Sequence, residues 1–382
     1  MFSSRPRSNN GHDQRKNSVT GAAKRFHPEI IFVEQQARNY PLTQEILRRL
    51  SDVPVQAIDS YQNMASHAPG LNHRIATEKR SLILAVKKGE LVKSVERDLF
   101  RPTPNEFYII HSMGCPFDCE YCFLYDYLGH QRPTIFVNLP DLLARIEEII
   151  ASHEHEANLI FHAGEFSDAL AYDHITNLSR PLVELFASKK NARLEMRTKS
   201  DYVENLLGLA HQGRTVISWT FNTAEIAAGI EHQTASLERR IEAARRVQEH
   251  GYWVGLRFDP LVWYPEWRQG YRDLITKIFS GLRTDKIFDV SLGVFRATPH
   301  LKHVIQQRVR QSWLLAGEMV LSVDGKYRYA KPVRREMYRM MAGWIRALAP
   351  DLKIESCMEA PEVAAVVERQ GMKRVTCDTL PE

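Results

Sequence analysis

Cys115, Cys119 and Cys122, in the run GCPFDCEYC, are the residues of this chain best suited to carry chemistry. Three thiolates spaced Cys-x3-Cys-x2-Cys can each hold one iron of a [4Fe-4S] cube and leave the fourth iron open. An iron with four cysteine ligands usually only passes electrons, whereas an open iron can bind a small molecule through its amino and carboxylate groups. A structural zinc site is the competing use of such thiols, but it wants four tetrahedral ligands, usually on paired Cys-x2-4-Cys arms. The remaining cysteines, Cys357 and Cys377, lie far away near the C-terminus, which favours the iron-sulfur reading.

The elements that must position these thiols show as a regular alternation. Strand-like runs rich in β-branched and aromatic residues fall at 106–111, 157–162, 193–197, 215–221, 253–258 and 288–295. Helix-period segments fall between them at 139–152, 173–188, 236–250 and 267–282. Six βα units in order predict an α/β fold with a parallel sheet and right-handed crossovers, closed part-way into an incomplete (β/α)6 TIM-type barrel. Ligands of such a fold gather at the C-terminal ends of its strands, and the cysteine loop begins just after the first of them. The organisation read from the chain is a small N-terminal lobe at 26–104, the partial barrel at 105–330, and a C-terminal helix and extension at 331–382.

At 382 residues and 44% hydrophobic composition, the chain can bury a sizeable core. Its formal net charge of +5 is a weak argument for a folded nucleic-acid surface. Arg5, Arg7, Arg15, Lys16, Lys24 and Arg25 against Asp13 already account for that +5, leaving the body neutral. Residues 1–25, poor in large apolar side chains, read as a disordered basic tail, either a plain solvated arm or one that adds phosphate contacts. No window approaches the roughly 18 apolar residues of a membrane span. With few cysteines and no apolar signal segment, the chain reads as cytoplasmic, with reduced thiols.

The second strand runs into His162-Ala163-Gly164-Glu165, which resembles the Gly-Gly-Glu motif of radical S-adenosylmethionine enzymes with its first glycine replaced. The chain from about 26 to 356 resembles the spore photoproduct lyase family of that superfamily, the SplB-type DNA repair photolyases. The resemblance is carried by IIFVEQQARNYPL, EKRSLILAVKKG, the cysteine loop with YCFLYDYLG and VNLPDL, FSDALAYDHIT, MRTKSDYVENLL, SLERRIEAARRVQEHGYWVG, DPLVWYPEWRQGY and GKYRYAK. It implies a [4Fe-4S] cluster on the three cysteines and S-adenosylmethionine on the open iron. Reduction then yields a 5′-deoxyadenosyl radical that takes hydrogen from a substrate. It further implies cofactor contacts from Gly164 and Glu165, and from Ser167, Lys199 and Thr220, each at or just after a strand end. On the residues alone, Ser167 also fits a helix cap, Lys199 a solvated charge and Asn222 either a polar contact or a turn.

Three departures from the family pattern stand out. The family places a hydrogen-donating cysteine where this chain has Glu165, and a carboxyl O–H is too strong a bond to replace a thiol. The family has a tyrosine on each side of the last motif cysteine, whereas this chain has Tyr121 and Phe123. An Arg-Tyr pair that helps open the lesion falls, by the register of Gly325-Lys326-Tyr327, at Leu321 and Ser322. Tyr121 is therefore either a hydrogen relay or packing over the cluster, and Cys357 or Cys377 either a replacement donor or an ordinary semi-buried thiol.

Trp263, Tyr264, Trp267, Arg257, Asp259 and Arg296, near the ends of the fifth and sixth strands, are candidates for a substrate pocket or for packing, Arg296 being the better anion contact. His111 and His162 fit structural roles or contacts to cofactor or substrate. The resemblance implies a spore photoproduct lyase-like enzyme acting on a DNA photolesion or modified nucleobase, with an external electron donor such as flavodoxin or ferredoxin. Radical modification of a small metabolite or peptide is the alternative that the three departures favour.

Overall fold

The computed structural model describes residues 25–64, 68–95, 105–156, 158–309 and 312–368. Nearly all of the basic tail and Cys377 lie outside these residues. Along the barrel strands, apolar and polar side chains alternate, so each strand turns one row toward covering helices and the other toward the lumen. In Ala192–Thr198, Leu194 and Met196 enter the helix-side core, while Arg193, Glu195 and Arg197 line the lumen. The same division puts Phe161 and Ala163 in the core and His162 inside, and Leu256 and Phe258 in the core and Arg257 inside.

The six expected strands are present as Glu106–Ile109, Leu159–Ala163, Ala192–Thr198, Thr215–Thr220, Trp253–Leu261 and Ile287–Val294. Each pairs in parallel with the next in chain order. Ile354–Ser356 adds a parallel strand at the far edge and Val92–Ser94 an antiparallel strand at the near edge. The result is an open, curled eight-stranded half-barrel.

Helices Leu139–Ser152, Leu237–Glu249 and Trp267–Gly281 occupy the expected crossovers. The single helix read at 173–188 is instead two, Asp173–Thr176 and Ser179–Ala187, broken at Asn177 in the left-handed region. The buried Asp173 carboxylate explains the break, because it accepts the amide and hydroxyl of Ser179 and the side-chain amide of Asn205.

The N-terminal lobe has its own parallel sheet of Val55–Ile58, Ile30–Glu34 and Ser81–Ala85, which recruits Thr134–Phe136 and Ser112–Met113 from beyond residue 104. The cysteine loop is therefore slung between two strands of this second sheet. A hairpin of Met319–Leu321 and Tyr327–Tyr329 carries Leu321 and Ser322 at its tip, Leu321 being 56% exposed. Among the described residues no helix is long and apolar enough to cross a membrane.

Candidate active site at the C-terminal rim of the half-barrel

Gly114 makes the turn into the cysteine loop with a positive φ of 76°, and a Cβ there would lie 2.9 Å from the carbonyl oxygen of Arg132. Asp118–Cys119 then pairs antiparallel with Glu231–His232, and the amide of Cys122 donates to the carbonyl of Cys119 at 3.2 Å before helix Leu124–Tyr127 begins. All three thiols are free, Cys119 buried and the other two half-buried. Among the described residues no three His, Cys, Asp or Glu side chains are grouped so as to hold a single metal ion.

Burial pushes Cys119 up to about 12 and Cys115 well above its usual value, while Lys199 and Lys79 respectively oppose the shift. Three soft sulfur donors flanked by cations fit an anionic iron-sulfur cluster, whose binding would displace the thiol protons. Outside the loop, Asp118 accepts two bonds from Arg308, at 3.0 and 2.9 Å, and Glu120 accepts from His232 at 3.2 Å and Ser312 at 2.6 Å. Asp126 accepts from Thr298 and from His300.

The second βα turn faces this loop. Gly164, at φ 102°, has no room for a side chain, since a Cβ would stand 2.6 Å from the carbonyl oxygen of Arg197. Ala163, before it, leaves the rim unobstructed, because its methyl group is buried in the helix-side core. Ser167 caps no helix; its hydroxyl donates to the carbonyl of Gly114 at 2.8 Å, beside the bond from Tyr172. Glu165 pairs with Arg197 at 3.4 Å.

Lys199 is half-buried at the end of the third strand, its ammonium 5.5 Å from the Tyr121 ring centroid. Tyr121 donates to Glu231, which is held at 2.6 Å by Arg240 in a fully buried ion pair. Thr220 ends the fourth strand, and its carbonyl accepts from Arg240 at 3.0 Å. The structure thus brings Gly164, Glu165, Ser167, Lys199, Thr220 and Tyr121 to the rim that bears the three cysteines.

Cys357 follows the last strand of the sheet, with its amide on Leu292 at 2.7 Å and its sulfur 3.7 Å from Arg296 Nη2. Burial, with Asp259 beside it, raises its thiol to about 12. Burial and the charge of Glu165 push the phenol of Tyr108, on the first strand, well up, and Cys357 adds to the shift.

Several pocket candidates prove to be internally occupied. Arg296 is bound by Asp259 at 3.0 and 3.2 Å, and Arg257 by Glu195 and Asp289 within the lumen, so neither guanidinium is an open anion contact. Trp267 and Tyr264 are core residues, Tyr264 donating to Thr223 at 3.1 Å. Asn222 is buried between strand Thr215–Thr220 and helix Ala224–Gly229, donating to the carbonyl of Pro260 at 2.9 Å. His111 is buried against Ser112 and lowered to about 4 by that burial, and His162 lies between Glu106 and Glu195. The lumen below them encloses about 750 Å³.

Sequence reasoning missed Asp168, which ties the second βα turn to the third strand by accepting from Thr198, at 2.7 Å, and from the amide of Lys199, also at 2.7 Å. Its signal was present as a turn-forming aspartate in FSDAL, which also accepts the amides of Leu170 and Ala171. Lys79 and the pair Glu231 and Arg240 carried no comparable local signal.

Against known proteins, a family model described as spore photoproduct lyase matches residues 26–357. Spore photoproduct lyase of Bacillus subtilis (strain 168) is 27% identical over 343 residues, covering 86% of this chain and 98% of the relative. That of Clostridium acetobutylicum is 29% identical over 282 residues, covering 72% and 80%. The solved structure of spore photoproduct lyase complexed with dinucleoside spore photoproduct superposes with a TM-score of 0.78 at 25% identity, over 87% of this chain and 99% of that one. A mutant of that enzyme with bound AdoMet and dinucleoside spore photoproduct gives 0.76 at 25% identity, over 88% and 100%.

Proposed function

The chain belongs to the spore photoproduct lyase family, and from that premise we propose that it is a radical S-adenosylmethionine enzyme acting on a DNA photolesion or modified nucleobase. The observation that carries the reading is the family match spanning the cysteine loop, with its three free thiols at the strand-end rim of a half-barrel. Bound to Cys115, Cys119 and Cys122, a [4Fe-4S] cluster with S-adenosylmethionine supplies a 5′-deoxyadenosyl radical once a donor such as flavodoxin or ferredoxin delivers an electron.

The chain's own residues orient and contain that chemistry. Lys199 offers an ammonium to the cofactor carboxylate, and Gly164 and Glu165 present backbone to its amino group. Ser167, whose proton is committed to Gly114, keeps lone pairs to accept a bond, and Thr220 offers a hydroxyl at the next strand end. Tyr121 is held over this site by Glu231. Glu165 stands in place of the family's thiol, and we assign the hydrogen-donor role to Cys357. Its S–H bond breaks, the hydrogen atom forms a C–H bond at the substrate radical, and a sulfur radical remains.

The hairpin tip favours a second reading. Leu321 and Ser322 offer neither a cation for phosphate nor a ring for a base, which suits a small metabolite or peptide better than duplex DNA. The test is anaerobic reconstitution, reduction, and mass spectrometry of 5′-deoxyadenosine and thymidine products with and without synthetic dinucleoside spore photoproduct. The lesion reading expects lesion-dependent repair. Formation of 5′-deoxyadenosine with no repair, and with no preference for irradiated DNA in binding, transfers the reading to the second class.

A further inference from the structure

The cysteine loop is reached by a cation from outside the barrel as well as from within. Lys79 ends helix Leu71–Lys79 of the N-terminal lobe and is only 7% exposed. Its ammonium donates to the carbonyl oxygens of Cys115, at 3.3 Å, and Phe117, and stands 3.5 Å from Asp118 Oδ1. It also lies 5.0 Å from the centroid of the Tyr125 ring. Lysine is rarely buried unless paired with an opposite charge. Here the carboxylate it faces is already shared, since Asp118 takes two bonds from Arg308. Two cations against one carboxylate leave this group with a net charge of +1.

An ammonium in that place does two things. It straps the backbone between the first and second cysteines, where no regular hydrogen-bond ladder holds residues 115–117. It also places a fixed positive charge beside the first ligand of the trio, in a poorly hydrated setting where charge is weakly screened. A cluster that accepts an electron becomes more negative by one unit, so a fixed cation favours the reduced form.

Resting on the iron-sulfur reading above, we propose that Lys79 is a positioning residue that holds the cysteine loop and raises the reduction potential of its cluster. The N-terminal lobe thereby takes part in the electron-accepting step, which transfers one electron from the external donor and moves no atom.

The experiment is an EPR-monitored redox titration of the reconstituted full chain, without S-adenosylmethionine, for wild type, Lys79→Met, Lys79→Arg and Asp118→Asn. Lys79→Met keeps the aliphatic stem and loses the charge. It should weaken the preference for the reduced cluster about tenfold, a midpoint ~59 mV more negative for a one-electron couple. Lys79→Arg should restore the wild-type midpoint, and Asp118→Asn, which deletes the opposing charge, should move it the other way. A cluster-bearing Lys79→Met with an unchanged midpoint overturns the proposal. Should Lys79→Met take up no iron, iron uptake by Lys79→Arg supports the strap, and an unmoved midpoint in Asp118→Asn sinks the electrostatic role. A wild-type chain that takes up no iron removes the reading beneath it, an outcome distinct from any midpoint result.

Discussion

The segments that follow the first and the last strand of the curled sheet are built by opposite means. After the first strand, the cysteine loop has little core of its own and is clamped by polar groups from far along the chain. Arg308 and Lys79 hold Asp118, His232 and Ser312 hold Glu120, and Thr298 and His300 hold Asp126. After the last strand, only three residues long, comes Cys357, with the pair Asp259 and Arg296 beside it. A many-atom cluster needs three donors fixed at once, so its loop is over-determined. A thiol that meets a substrate needs only to face the lumen, and its place on the scaffold is freer to change.

The largest expected effect tests that contrast directly. Cys119→Ala should abolish cluster uptake, read as loss of bound iron and of 5′-deoxyadenosine, whereas Cys357→Ala should retain both. Comparable iron loss in the two variants would erase the distinction between the ends. Next comes the pair under Tyr121. Arg240→Met leaves Glu231 buried without its ion-pair partner, and breaking such a pair costs about 3–5 kcal/mol. Urea unfolding of the apoprotein followed by circular dichroism measures the loss, and a loss under about 1 kcal/mol contradicts the buried-pair account.

Smaller in stability but sharper for the far end, Cys357→Ala should leave 5′-deoxyadenosine formation intact while repaired product falls and aberrant adducts rise. Unchanged product partitioning removes Cys357 as donor.

Between the two ends lies the ionic lattice of the lumen, which should give the protein a modest pH dependence. Burial and Arg197 push the His162 imidazolium down, but hydrogen bonds to Glu106 and Glu195 more than offset this, and its pKa ends above the ordinary value. A raised pKa in the folded state means that the stability contributed by His162 is complete below the unfolded value of about 6.5 and is lost as pH rises through the folded value. Urea midpoints should therefore fall over that rise in wild type and less in His162→Gln. Parallel pH profiles would show that His162 does not gain a proton on folding.

The contrast also explains what the chain made readable in advance. Six strands and three crossover helices showed because alternation and helical periodicity are local, and the three cysteines because their spacing is. The clamps were hidden because Lys79 precedes Cys115 by 36 residues and Arg308 follows Asp118 by 190, distances that no local pattern spans. Arg257 and Arg296 read as open rim cations because their neutralising carboxylates come from other strands, Glu195 and Asp289 for one and Asp259 for the other. The break at Asn177 escaped because it depends on the buried Asp173, which also takes a bond from Asn205 on a later segment.

The smallest expected effect on the fold is at the hairpin, which stands outside the curled sheet. Leu321 is more than half exposed and Ser322 closes the turn through its amide to Lys326 at 2.9 Å, so neither supports the core. Introducing the Arg-Tyr pair that the sequence resemblance implies, Leu321→Arg with Ser322→Tyr, should change stability by no more than about 0.5 kcal/mol. Binding should respond more than folding. One added phosphate contact steepens the dependence of log affinity on log salt by about 0.9 for duplex DNA, and an aromatic ring adds a stacking surface. Titrating irradiated duplex into wild type and the double variant at several salt concentrations reads that slope. A steeper slope with unchanged unfolding would show that the hairpin of this chain reaches DNA and has lost its grip there. An identical slope would place the tip away from any duplex, and the far end of the sheet would then serve a smaller substrate.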